Sequence, residues 1–166
     1  AIVIGNRFTG VAGNDSVGIT ISGTSRVSLI GNSISAGEVE GIWVNVGSHI
    51  EVASNFIWGC SQKVHNNFDG ILIGGASTDC SVTNNVVRHG GGGAQHQFGI
   101  QVAAAAANIW TCGNDFGASG ATASISDAGN KTLFPLNSGI GPYQVWDPAA
   151  GPAAHVAATV TMFNRV

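Results

Sequence analysis

Residues 41–57, GIWVNVGSHIEVASNFI, hold two short alternating runs followed by a corner. Ile42 and Val44 flank Trp43 in the first run, and Ile50 and Val52 flank Glu51 in the second. Alternation with period two sends successive side chains to opposite faces of a strand, so Ile42, Val44, Ile50 and Val52 share the inner face. Asn55 then marks a corner, since Asn tolerates turn geometry and its amide bonds back to the chain. Ile57, two residues further on, turns inward again. A unit this short cannot bury its apolar face alone and must stack on copies of itself.

Copies are present on both sides. The segments AIVIGNRF, VSLIGNSI, IEVASNFI, CSVTNNVV and IWTCGNDF align on Asn6, Asn32, Asn55, Asn85 and Asn114, with spacings of 26, 23, 30 and 29 residues. Three residues before each Asn stand Val3, Leu29, Val52, Val82 and Thr111. Five before stand Ala1, Val27, Ile50, Cys80 and Ile109, and two after stand Phe8, Ile34, Ile57, Val87 and Phe116. The first run recurs as GITI, GIWV, GILI and GIQV, beginning at Gly18, Gly41, Gly70 and Gly99, with Thr20, Trp43, Leu72 and Gln101 facing outward. No Leu ladder points to a leucine-rich repeat, and the coils are too short for four-stranded propeller blades. The pattern specifies an all-β chain, a parallel β-helix of about 4–5 coils, with the Asn amides stacked into a hydrogen-bonded ladder.

The G-I-x-[VI] and [VI]-x-[VIL]-x-x-N-x-[IVF] repeats of residues 1–116 resemble those of the pectate-lyase-like superfamily of right-handed parallel β-helix proteins. That superfamily includes phage tailspikes and polysaccharide lyases, hydrolases and epimerases. The resemblance implies a right-handed coil, a polysaccharide as partner, an extracellular or virion-associated location and a homo-oligomer, in tailspikes a trimer with interleaved C-terminal regions. The motifs carry the fold and say little about a reaction.

Composition narrows the partners. Charged residues make up 9% of the 166 and the apolar share is 44%, which excludes a disordered chain. With six Lys and Arg, a formal charge of −3 and no basic cluster, nucleic acid is not expected as a partner. No run reaches the ~18 apolar residues of a membrane span. Cys60, Cys80 and Cys112 share no metal-ligand spacing and form no disulfide framework. No calcium-binding repeat is found, and Gly90–Gly93 precede no helix that would make a phosphate loop. Neither a metal nor a cofactor is therefore expected.

The repeat divides the chain into residues 1–116, the coils, and 117–166, expected to hold one degenerate coil and a C-terminal cap or oligomerisation segment. His155–Phe163, HVAATVTMF, alternates as a strand there. Ala1 already falls in a strand with no cap before it, so the chain is expected to be a piece of a longer protein with an open first coil. Ala103–Ala107 is expected as a small-residue corner, Cys80 as an inert core thiol and Trp110 as an outward side chain.

In a solenoid, function is read in columns, because equivalent residues stack about 4.8 Å apart. One residue before each second-motif Gly the column reads Val17, Glu40, Asp69, Phe98; three before, it reads Asp15, Glu38, Asn67, His96. Glu40 and Asp69 thus fall on adjacent coils, with Glu38 and His96 nearby. Paired carboxylates are the machinery of glycoside hydrolysis, and mutual repulsion raises one pKa to make an acid beside a base. Glu40, Asp69 and Glu38 are the candidate catalytic residues. Trp43 and Trp58 offer faces for a sugar ring, and His65, His96 and Arg88 complete the candidate substrate-binding set from the lengthened loops. The bland alternative is that Glu38 and Glu40 solubilise a loop while Asp69 caps a turn. A lyase or epimerase needs positive charge at the corner for an enolate-like intermediate, and only Lys63 and Arg88 lie near it. A non-catalytic fibre or adhesive subunit fits the low charge equally well.

Overall fold

The computed structural model describes residues 1–10, 15–90, 95–116 and 120–132, and the backbone of 144–146 and 155–157. In chain order the strands are β1 Ile2–Ile4, β2 Arg7–Thr9, β3 Ile19–Ile30, β4 Ser33–Ser35, β5 Ile42–Ala53, β6 Phe56–Trp58 and β7 Ile71–Ile73. They continue as β8 Ser81–Thr83, β9 Val86–Arg88, β10 His96–Val102, β11 Trp110–Cys112, β12 Gly120–Asp127, β13 Gln144–Trp146 and β14 His155–Ala157. No helix occurs among the described residues.

The strands stack in parallel as a β-solenoid of about 4 turns. One sheet runs β1-β3-β5-β7-β10-β12, with β8 and β11 continuing the second half of β5, and another runs β2-β4-β6-β9. The register matches the sequence columns. Ile19, Ile42, Ile71 and Ile100 stack, as do Ile21, Val44, Ile73 and Val102, all buried. Val27, Ile50 and Cys80 form a further buried column. Ile34, Ile57 and Val87 close the coil from the second sheet. Burying one such side chain stabilises by about 1.5–3 kcal/mol, which is how a chain with few charges holds its coils together.

Two corners of each coil share one backbone device. Gly5, Gly31, Ser54, Asn84 and Gly113, each preceding a ladder Asn, all have φ between 54° and 66°. Arg26, His49, Asp79, Asn108 and Lys131, at the bend between the two long strand segments, lie between 54° and 56°. A single left-handed residue turns the chain sharply enough to start the next strand without a loop.

The Gly that opens G-I-x-[VI] has a steric role. A Cβ on Gly41 would lie 2.5 Å from Ile57 Cγ2, and one on Gly70 2.4 Å from Val87 Cγ1. Here the first strand of a coil meets the last one of the same coil, and nothing larger fits.

Past Phe116, β12 pairs with β10 through Ile125 and Ile100. Asn130 N donates to Ala106 O, so the stack continues by one more partial coil. Ala103–Ala107 is a turn, closed by Ala106 N donating to Ala103 O. β13 and β14 pair antiparallel. Of the expected strand His155–Phe163, residues 158–163 lie outside the described residues.

Candidate functional site

The polar corner follows the second sheet in each coil. Gly18 N donates to Glu40 O at 3.1 Å, Gly41 N to Asp69 O at 3.2 Å and Gly70 N to Phe98 O at 3.0 Å. Val17, Glu40, Asp69 and Phe98 therefore stack on consecutive coils. The outer column departs from its sequence register. Asn67 is exposed, whereas His96 is fully buried inside the corner. Residues 61–67 are the cause: this excursion leaves the coil and returns, so positions counted back from Gly70 do not overlie those of its neighbours.

Three of the corner's side chains accept a backbone N–H from another coil. Glu38 Oε2 accepts from Asp15 N at 2.9 Å, Asp69 Oδ1 from Phe98 N at 3.1 Å, and His96 Nε2 from Cys60 N at 3.1 Å. Irregular loops break the strand ladder, and a buried N–H without an acceptor costs about 1–3 kcal/mol. These side chains supply the missing acceptors. Nε2 of His96 must be free of hydrogen to do so. Expected as a loop-surface ligand, His96 is buried by this bond and cannot meet a polymer in this conformation.

Glu40 is half-buried and Asp69 is 3% exposed. Burial pushes the Asp69 carboxyl up to about 7, against the pull of the Phe98 amide, and the Glu40 charge beside it adds to the rise. Glu40 is also raised, again by burial, with its own backbone amide opposing. Glu40 is the member that solvent reaches. Cys60, also at the corner, is fully buried and its thiol is raised to about 11, first by burial and further by Glu40. Such a thiol is no nucleophile at neutral pH.

The remaining candidates are dispersed. Trp43 faces outward and half-buried, its indole Nε1 3.2 Å from where a Gly74 Cβ would stand. It lies over the next coil and leaves only part of its face free. Trp58 is 45% exposed on the outward face of β6, beside Phe56 at 47%. His65 sits on the 61–67 excursion, where Nδ1 accepts from Gln95 N at 3.2 Å. That excursion straps several coils together. Lys63 ion-pairs with Asp15, Asn66 N donates to Gln95 O at 3.0 Å, and Thr122 Oγ1 donates to Asn66 Oδ1 at 2.8 Å. Arg88 ion-pairs with Asp115 and donates to the Asp115 and Val87 carbonyls at 3.0 Å each.

Phe56 and Asp115 were not singled out from the sequence. The available signal was their place directly after a ladder Asn, where the other coils carry Arg7, Ser33 and Val86. Among the described residues no three His, Cys, Asp or Glu side chains are grouped to hold a metal ion.

These features define a parallel β-helix with a carboxylate corner on one edge of its coils and an aromatic pair on a neighbouring face. No protein-family model, curated protein or solved structure matches the chain.

Proposed function

We propose that this chain is a polysaccharide-recognising β-helix of the pectate-lyase-like, tailspike type, and that the Glu40–Asp69 corner cleaves its glycan by hydrolysis. The observation that supports this reading is the stacking of a half-exposed carboxyl on a buried one whose pKa is raised to about 7. A carboxyl that burial raises is held toward its acid form, as a general acid needs. Glu40, the member that solvent reaches, gives its own proton to the leaving sugar oxygen as the glycosidic bond breaks. Water adds to the anomeric carbon and returns a proton to the Glu40 carboxylate. Asp69 lies too deep to touch a polymer and acts through Glu40 as a positioning residue.

A second reading has its own support. Glu38, Asp69 and His96 all cap backbone N–H groups of other coils, which is what a non-catalytic fibre subunit needs of a polar corner. Reducing-end release from a panel of acidic and neutral polysaccharides separates the two. Hydrolysis predicts activity that Glu40→Gln abolishes while the urea midpoint does not fall. Undiminished cleavage by Glu40→Gln would remove Glu40 from the reaction, and no cleavage by the native protein across the panel would favour the fibre.

A further inference from the structure

Beyond the corner, the outward face of β6 carries two aromatic side chains, Phe56 and Trp58, separated by the buried Ile57 and each nearly half exposed. Two residues along a strand place the rings roughly 6.6 Å apart on one side of the sheet. On one flank the register sets Ser35 beside Trp58, and on the other Arg88, which Asp115 holds in an ion pair. Arg7 lies on the same face two strands from Phe56, exposed and without an ion-pair partner among the described residues.

Several strand faces of a solenoid carry isolated apolar side chains, and these need no explanation. This face differs in its grouping. The exposed aromatic pair is one coil tall, with Ser33 and Ser35 on one side about 4.8 Å away and Val86 and Arg88 on the other, Arg88 tied to Asp115 of the coil beyond. A protein partner buries about 800 Å² per side around a broad apolar centre, and this strip is too narrow for that. It suits a ligand with flat apolar faces and polar edges, the shape of a pyranose ring over an indole. Two arginines against one aspartate make the face locally cationic on a chain of formal charge −3, so an anionic ligand is favoured.

We infer that the outward face of β6 is a stacking platform for an acidic polysaccharide, a binding site separate from the Glu40–Asp69 corner. This rests on the reading of the chain as glycan-recognising. The site holds a polymer by Phe56 and Trp58, with Arg7 supplying the charge for its carboxylates and Arg88 held at the rim by Asp115.

Native affinity electrophoresis in gels containing polygalacturonate, alginate or hyaluronate, with dextran and xylan as neutral polymers, tests it. The native protein is expected to be retarded by at least one acidic polymer and not by the neutral ones. Phe56→Ala and Trp58→Ala each weaken that retardation at least tenfold, Arg7→Gln weakens it and flattens its salt dependence, and Glu40→Gln leaves it intact. Because Phe56 and Trp58 point to solvent, unchanged urea midpoints verify that the variants fold. Retardation that persists in Trp58→Ala and Phe56→Ala overturns the platform while leaving glycan recognition standing. No retardation by any polymer overturns both. Self-association in sedimentation that Trp58→Ala abolishes would make this face a contact between copies, and also overturns the inference.

Discussion

Asn55 donates twice to the same oxygen of Asn85: its backbone N at 2.9 Å and its side-chain Nδ2 at 3.0 Å both reach Asn85 Oδ1. Asn55 Oδ1 in turn accepts from Asn32 N at 2.9 Å and Asn32 Nδ2 at 3.0 Å, and Asn55 Nδ2 also donates to Leu29 O at 2.9 Å. The pattern repeats from Asn6 to Asn114. Only a side chain with a donor and an acceptor on one planar group can pass hydrogen bonds along the axis in this way.

Asn55→Ala is therefore expected to be among the costliest polar substitutions in the molecule. It strands Asn32 N, Leu29 O and one acceptor site of Asn85 in the interior, at about 1–3 kcal/mol for each buried group. A loss of at least about 3 kcal/mol is expected in urea unfolding. Asn6→Ala, at an exposed position of the same ladder, is expected to cost under about 1 kcal/mol. Equal losses at the two sites would mean that the ladder contributes through turn geometry and not through its buried bonds.

The ladder was legible in the sequence because every coil enters the corner through the same short strand with the same apolar offsets, although the Asn spacing runs from 23 to 30 residues. The inward columns from Ile19 to Val102 were legible for the same reason, period two leaving no other face for them. Legibility ended where loops differ in length. Asn67 and His96 were counted into one column, yet the 61–67 excursion exposes the first while the second turns inward to reach Cys60 N. Column counting also could not show that Asp69 would be nearly sealed from solvent, which depends on how neighbouring loops close over it.

The corner backbone gives opposite expectations for two substitutions. Gly70→Ala drives a methyl to 2.4 Å from Val87 Cγ1 and 2.7 Å from Gly99 O, so the coil must open. A loss of about 1–3 kcal/mol, as for other overpacked sites, is expected. Ser54 has φ 55° and a side chain exposed to solvent. Ser54→Gly relieves the left-handed penalty, about 1–2 kcal/mol, less the extra entropy glycine loses on folding. A net gain of up to about 1 kcal/mol in thermal or urea unfolding is expected, and a loss would show that Ser54 does more than turn the chain.

His96 and Lys63 bind the same region with unequal force. Lys63 and Asp15 pair in the open, with side chains 48% and 65% exposed, where water and salt screen the attraction. Lys63→Ala should shift the urea midpoint little, and salt should reduce even that shift. His96→Leu leaves the Cys60 N–H without its acceptor and is expected to cost about 1–3 kcal/mol. Hydrogen exchange at the Cys60 amide, slow in the native protein and fast in His96→Leu, would locate the loss. If exchange there is unaltered, another group must satisfy that amide.

Asp69 makes stability fall as pH rises, the reverse of what an ordinary surface carboxylate does. Its folded pKa stands near 7, well above the value of about 3.8 for a free carboxyl. Below that lower value the group is protonated in both states and the full stability is present. Between the two values the unfolded chain gives up a proton that the folded chain retains, so each pH unit costs up to about 1.4 kcal/mol. Above about 7 both states are ionised and the loss is complete. Glu40, raised in the same direction, adds to the slope. The urea midpoint is thus expected to decline from pH 4 to pH 7 and then level off. Asp69→Asn keeps an acceptor for Phe98 N and cannot ionise, so it should flatten the Asp69 part of that decline and be more stable than the native protein at pH 7. A midpoint with the same pH dependence in both proteins would mean that Asp69 ionises in the folded state as easily as in water, which would also undermine its role behind Glu40.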